Sequence, residues 1–224
     1  MPTQRTQYGG AVATKPVATY TIIALNILAY LAQWALRGTT QAMMLVPGIA
    51  IYEPWRLFTN AFAHSTGSIF HILMNMYGIY IFGTLLEPRM GRLRFIWLYV
   101  LSLFGGTAGI MLLSPPLSGT LGASGALAGL FIATLVALRG NRAVLSQLGI
   151  VLVLNIVLSF TVPNISWQGH LGGAIVGGLA ALCITLVPRG PKRNITQLGL
   201  LGALSAVLAI VLFVSTTSAA LPLA

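Results

Sequence analysis

Five stretches of this chain, residues 16–36, 57–86, 95–138, 143–188 and 194–224, contain no charged side chain. No other feature narrows the possible folds as much. A soluble domain carries about 25% charged residues, whereas here 6% are charged and 57% are hydrophobic. Lipid is the solvent that suits such a chain, and helices satisfy their backbone polar groups internally there. A membrane-crossing helix takes about 20 apolar residues. Stretch 95–138 is too long for one helix and is broken by Ser114-Pro115-Pro116-Leu117-Ser118-Gly119-Thr120. Stretch 143–188 is likewise broken near Pro163-Asn164. The sequence therefore predicts an all-α, polytopic membrane bundle of seven helices, over 17–36, 68–86, 94–113, 121–138, 144–162, 168–187 and 195–214.

The charges support this count. Twelve Lys and Arg face two Glu and no Asp, a formal net charge of +10. Nucleic-acid binding needs a clustered basic face. These charges instead sit in small groups between apolar runs, so the expected partner is the bilayer and not nucleic acid. With seven helices, Arg5, Lys15, Arg89, Arg92, Arg94, Arg139, Arg142, Arg189, Lys192 and Arg193 fall on one side, and only Arg37 and Arg56 on the other. Positive charge prefers the cytoplasmic side, so the N-terminus is expected inside and the C-terminus outside. The single cysteine, Cys183, allows no intrachain disulfide and no multi-cysteine metal site. Residues 1–14 lack the apolar run of a cleaved signal peptide. The loop 37–67 has apolar pieces beside Trp55 and reads as partly embedded at the outer interface.

Polar side chains inside spans are costly and mark function. Here they are His71 and Asn75 in the second helix, Ser124 in the fourth and His170 in the sixth. These three helices all start on the outer side, and each residue lies in the first half of its helix. One topology brings all four to a similar depth. Without Asp, a di-aspartyl protease is excluded, and no His-Glu-x-x-His pattern for zinc exists. Neither Glu53 nor Glu87 is placed to orient His170. What remains is a Ser124-His170 dyad, in which the histidine takes the serine proton and returns it to the leaving amine. Gly122-Ala123 and Gly125-Ala126 leave the serine unobstructed, and free N–H groups in the first helical turn favour an oxyanion. Asn75 and His71, spaced i, i+4, add side-chain donors. His170, Gly173 and Gly177 share a helix face that lets a neighbour approach closely. That neighbour is expected to be the Ser124 helix. His64 reads as interfacial rather than catalytic.

These pieces resemble the rhomboid intramembrane serine proteases. The matching residues are Glu53-Pro-Trp-Arg-Leu-Phe-Thr59, His71-Ile-Leu-Met-Asn75, Glu87-Pro-Arg89 with Gly91, Gly122-Ala-Ser-Gly125, and Gly169-His170-Leu-Gly-Gly173 with Gly177. The resemblance implies a six-helix protease core over 17–190, preceded by a cytoplasmic tail (1–16) and followed by an additional helix (191–224). It implies Ser124 as nucleophile, His170 as general base, and His71, Asn75 and the Ser124 amide as oxyanion hole. It further implies Glu87 and Arg89 as a structural pair and the fifth helix as a substrate gate. Expected substrates are single-span membrane proteins cut near the outer face, with no metal or cofactor. A bacterial plasma membrane is the expected location. Ala128 departs from the aromatic that relatives often carry one turn after the serine, and Trp167 is the nearby alternative for holding His170. A catalytically silent relative that binds membrane clients is the competing reading, although such relatives usually lose the serine or histidine. A transporter ranks last, because the inner charges of an ion pathway are missing.

Overall fold

The computed structural model describes residues 5–12, 15–161 and 165–220. The turn assigned to Pro163-Asn164 lies outside them. In chain order the helices are α1 (Val17–Ala35), α2 (Thr39–Met43), α3 (Arg56–Thr59), α4 (Ile69–Met90), α5 (Arg92–Leu113), α6 (Ser124–Ala137), α7 (Arg142–Thr161), α8 (Trp167–Thr185) and α9 (Arg193–Ala219), with a 3-10 turn at Pro47–Ile49. Among the described residues, extended pairing is limited to isolated bridges, Arg5 with Ala11 and Leu45 with Thr120. Five helices (α1, α4, α5, α8 and α9) are long and apolar enough to cross a membrane. Large apolar side chains line the periphery, among them Leu28, Trp34, Phe70, Ile195 and Phe213. Such a surface needs lipid around it, and the chain is an integral membrane protein.

α5 is the most buried span and α9 the least. The core lies between α5, α6 and α8, around Leu98, Leu130, Ala133, Ala180 and Ile184. Glycine permits this packing. A Cβ on Gly173 would lie 1.9 Å from the Gly125 carbonyl oxygen, and one on Gly177 would lie 2.4 Å from Gly129 Cα. On the other flank, a Cβ on Gly172 would lie 2.2 Å from Gly105 O. The three helices therefore touch backbone to backbone, which only residues without a Cβ allow.

α4 continues through Pro88 to Met90, past the predicted end at 86. It stops at Gly91, whose φ of 84° suits glycine. A larger change concerns α6. It begins at Ser124 rather than 121, because Gly122 has φ 126° and its N–H donates to Asn60 O at 2.8 Å. Leu45 and Thr120 exchange both backbone hydrogen bonds at 2.9 Å, and Gly48 N donates to Pro116 O at 2.8 Å. The chain before Ser124 is thus pinned to the long loop. Its 14 residues make α6 about 21 Å long, about 9 Å short of the hydrocarbon core.

The expected Glu87–Arg89 pair is corrected. Residues two apart on a helix point to different sides. The buried Glu87 carboxylate instead accepts from Ala18 N (3.0 Å), Thr19 N (2.8 Å) and Thr19 Oγ1 (2.8 Å), and Arg92 Nε lies 3.6 Å from it. A negative charge at the start of α1 meets unpaired N–H groups and the positive end of the helix dipole. Arg89 donates to Leu85 O at 2.6 Å. α9 docks on α5 through Arg94, which donates to Gln197 Oε1 and Asn194 Oδ1, and through Trp97 Nε1 to Ser205 Oγ at 3.0 Å.

Candidate active site

Ser124 is the first helical residue of α6, so its own N–H and those of Gly125 and Ala126 come before the first i→i−4 bond, from Leu127 N to Ala123 O at 3.0 Å. It is half-buried, as are His71 and His170. His170 sits in the first turn of α8. That start is fixed by Ser166, whose Oγ accepts from Gly169 N at 3.2 Å, while His170 N donates to Ser166 O at 3.1 Å. A Cβ on Gly125 would lie 3.1 Å from Gly169 O. The residue after Ser124 and the residue before His170 therefore meet directly, as the shared glycine face of His170, Gly173 and Gly177 led us to expect.

His71 comes from α4. A Cβ on Gly122 would lie 2.8 Å from His71 Nε2 and 3.9 Å from Ser124 Oγ. Both polar atoms thus border the space that Gly122 leaves empty. Ser65 N donates to His71 Nδ1 at 3.1 Å. A ring nitrogen that accepts a hydrogen bond carries no proton, so the neutral imidazole holds its proton on Nε2. That N–H faces the Gly122 space. Asn75, buried one turn further, donates one amide hydrogen to His71 O at 2.8 Å, and its second remains for another acceptor.

His64 corrects an expectation. It is wholly buried rather than interfacial, with its ring centroid 5.1 Å from that of His71 in an edge-on arrangement. Its Nδ1 bonds Phe62 O at 3.2 Å. Burial, aided by the proximity of His71 and opposed by the Phe62 carbonyl, lowers its pKa to about 4. It is therefore neutral at pH 7.

Two supporting residues went unnoticed in the sequence. Gln33 of α1 clamps His64: its Oε1 accepts from His64 N and its Nε2 donates to His64 O, both at 2.9 Å. A buried glutamine in an apolar span was the available signal. Asn60 accepts from Gly122 N and donates to Arg56 O at 2.7 Å. With Thr107, Ser124 and Ser166 it lines a cavity of about 20 Å³ beside the serine, room for about one water. The Glu53-Pro-Trp-Arg segment serves the loop: Arg56 pairs with Glu53 and donates to the carbonyls of Gln41 and Met44. Trp55 Nε1 donates to Ala42 O at 3.1 Å.

Residues 52–187 match the family model of the Rhomboid domain. The chain is 34% identical over 188 residues to Rhomboid protease GluP of Bacillus subtilis, covering 79% of this chain and 36% of that protein. It is 34% identical over 158 residues to RHOMBOID-like protein 6, mitochondrial, of Arabidopsis thaliana, covering 66% and 50% respectively. RHOMBOID-like protein 1 of the same plant is 33% identical over 145 residues, covering 62% and 36%. The chain thus spans between a third and a half of the length of these relatives.

Proposed function

Since the chain belongs to the rhomboid family, we propose that it is an intramembrane serine endopeptidase with Ser124 as nucleophile and His170 as general base. The observation that carries this reading is the convergence of three helix starts: Gly125 lies on Gly169, and Ser124 Oγ shares the Gly122 space with His71 Nε2. In the proposed reaction His170 removes the Ser124 hydroxyl proton as Oγ attacks the substrate carbonyl. The oxyanion takes hydrogen bonds from the Ser124 amide, from His71 Nε2–H and from the second amide hydrogen of Asn75. His170 then protonates the leaving amine, and a water it activates hydrolyses the acyl ester. Gly173 and Gly177 hold the two helices at contact distance, and Glu87 anchors α1.

The proposed substrates are single-span membrane proteins cut near the face opposite the arginine-rich end. That end faces the cytoplasm in this reading, since it carries ten of the twelve basic residues. Substrate enters past α7, whose exposed Ile150, Val153 and Leu154 leave it lightly packed on α8.

Cleavage of a transmembrane reporter in liposomes tests the reading. Ser124→Ala and His170→Ala are each expected to lower turnover by at least about a thousandfold, and a fluorophosphonate label is expected on Ser124. Cleavage at the wild-type rate by both variants, or a label on another residue, would overturn it.

A further inference from the structure

The arginine-rich end carries a second cavity, independent of the serine site. Its volume is about 550 Å³, and Arg5, Gln7, Arg189, Arg193 and Asn194 are among its lining residues. The N-terminal segment forms one wall, and this wall is fixed. Residues 5–11 fold back on themselves through the Arg5–Ala11 bridge, with Thr6 N donating to Gly10 O at 2.8 Å. Tyr8 then anchors the fold to three helices. Its hydroxyl donates to Ala137 O (2.8 Å), its N–H to Arg89 O (3.3 Å), and its carbonyl accepts from Gln197 Nε2 (3.0 Å). Gly10 seats directly on Met90, where a Cβ would fall 2.1 Å from the carbonyl oxygen. The opposite wall is the turn at Arg189-Gly190-Pro191 and the start of α9, whose dipole presents its positive end there.

Among the described residues no carboxylate side chain neutralises these cations. The whole sequence holds two carboxylate side chains. Glu53 is paired with Arg56, and Glu87 is taken up by Ala18, Thr19 and Arg92. Arg94, hydrogen-bonded to the cavity-lining Asn194, lies within electrostatic reach of Arg5 and Arg193. Three guanidinium groups around one concavity repel one another unless an anion from outside enters. A guanidinium fork matches two phosphate oxygens at once. The cavity has the size of a small-ligand site, and it lies where α9 enters the apolar zone, the level of lipid headgroups.

We propose that this cavity binds a phosphate-bearing anion, held by Arg5, Arg189 and Arg193, and that an anionic lipid headgroup supplies it in the membrane. The test is native mass spectrometry of the full chain in detergent, titrated with phosphatidylglycerol and separately with phosphatidylcholine. Inorganic phosphate forms a third arm. The expected result is saturable phosphatidylglycerol binding, weakened about fivefold by Arg189→Gln and further by Arg5→Gln with Arg189→Gln. Arg142→Gln removes the same charge from the same end but outside the cavity, and is expected to leave the affinity unchanged. Arg189 makes no hydrogen bond that holds the fold among those described, and thermal unfolding in detergent checks that each variant is folded. Competition by millimolar phosphate, lost in the same arginine variants, would support the site with the free anion as its ligand. Equal binding of both lipids, or equal weakening by Arg142→Gln and Arg189→Gln, would overturn the proposal.

Discussion

Gly173→Ala tests whether close helix contact positions the serine and histidine. The added Cβ would lie 1.9 Å from Gly125 O. A carbon reaches a carbonyl oxygen comfortably at about 3.3 Å, so α6 and α8 must separate by about 1.4 Å at this point. The Cβ position is fixed by the backbone and its neighbour is a backbone oxygen, so no side-chain rotation can relieve the clash. Alanine favours an isolated helix by about 1 kcal/mol over glycine, while overpacking of this kind costs about 1–3 kcal/mol or more. The net effect is a loss of stability. The effect on the proposed reaction is larger, because a displacement of about 1 Å between reacting groups lowers rates about a hundredfold. Gly178→Ala is the control: its Cβ would meet only the Ile132 side chain, at 3.0 Å, and that side chain can give way. The assay is reporter cleavage in liposomes together with thermal unfolding in detergent. Gly173→Ala is expected to lose about two orders of magnitude in kcat/KM and to melt lower, and Gly178→Ala to do neither. A Gly173→Ala protein with wild-type activity and melting temperature would refute the positional argument.

Three further outcomes are expected. Gln33→Ala removes both bonds that clamp His64 and leaves its backbone polar groups buried, so thermal unfolding in detergent should show a loss of about 2–3 kcal/mol. His64 makes stability depend on pH: its pKa falls from 6.5 to about 4 on folding, so the unfolded chain binds the proton first. Stability is then complete above about pH 6.5 and declines as pH falls towards 4, by up to about 3 kcal/mol. His64→Asn should flatten the melting-temperature profile across that window, and an unchanged profile would exclude His64 as its source. Glu87→Gln removes the charge and one of the two acceptor oxygens at the start of α1, leaving one backbone N–H facing an amide NH2, and should destabilise by about 2–4 kcal/mol. Arg89→Ala should stay within about 0.5 kcal/mol, and equal losses for the two variants would restore the Glu87–Arg89 pair.

Much of the architecture was already legible in the primary structure. The charge-free stretches and their basic punctuation predict the seven apolar helices, though not the shortness of α6, because hydropathy is summed along the chain and needs no tertiary partner. The outer starts of three helices likewise pointed to Ser124, His71, Asn75 and His170 as neighbours, since depth follows from residue count at a fixed rise. Spacing also marked Gly173 and Gly177 as a contact face. The tertiary structure decided everything that depends on direction and on contacts between distant segments. The start of α6 moved to Ser124 because Asn60, 62 positions before Gly122 in the chain, holds the Gly122 N–H. Glu87 turned towards α1 and Arg92, a choice of side that neighbouring residues on one helix cannot reveal. His64 proved buried, with its backbone gripped by Gln33 of α1. The arginine cavity arose because the N-terminal segment folds back onto α9, bringing Arg5 to Arg189. Composition and periodicity report the solvent that each segment prefers; the orientation of a side chain towards a partner far along the chain is set only once the helices are packed.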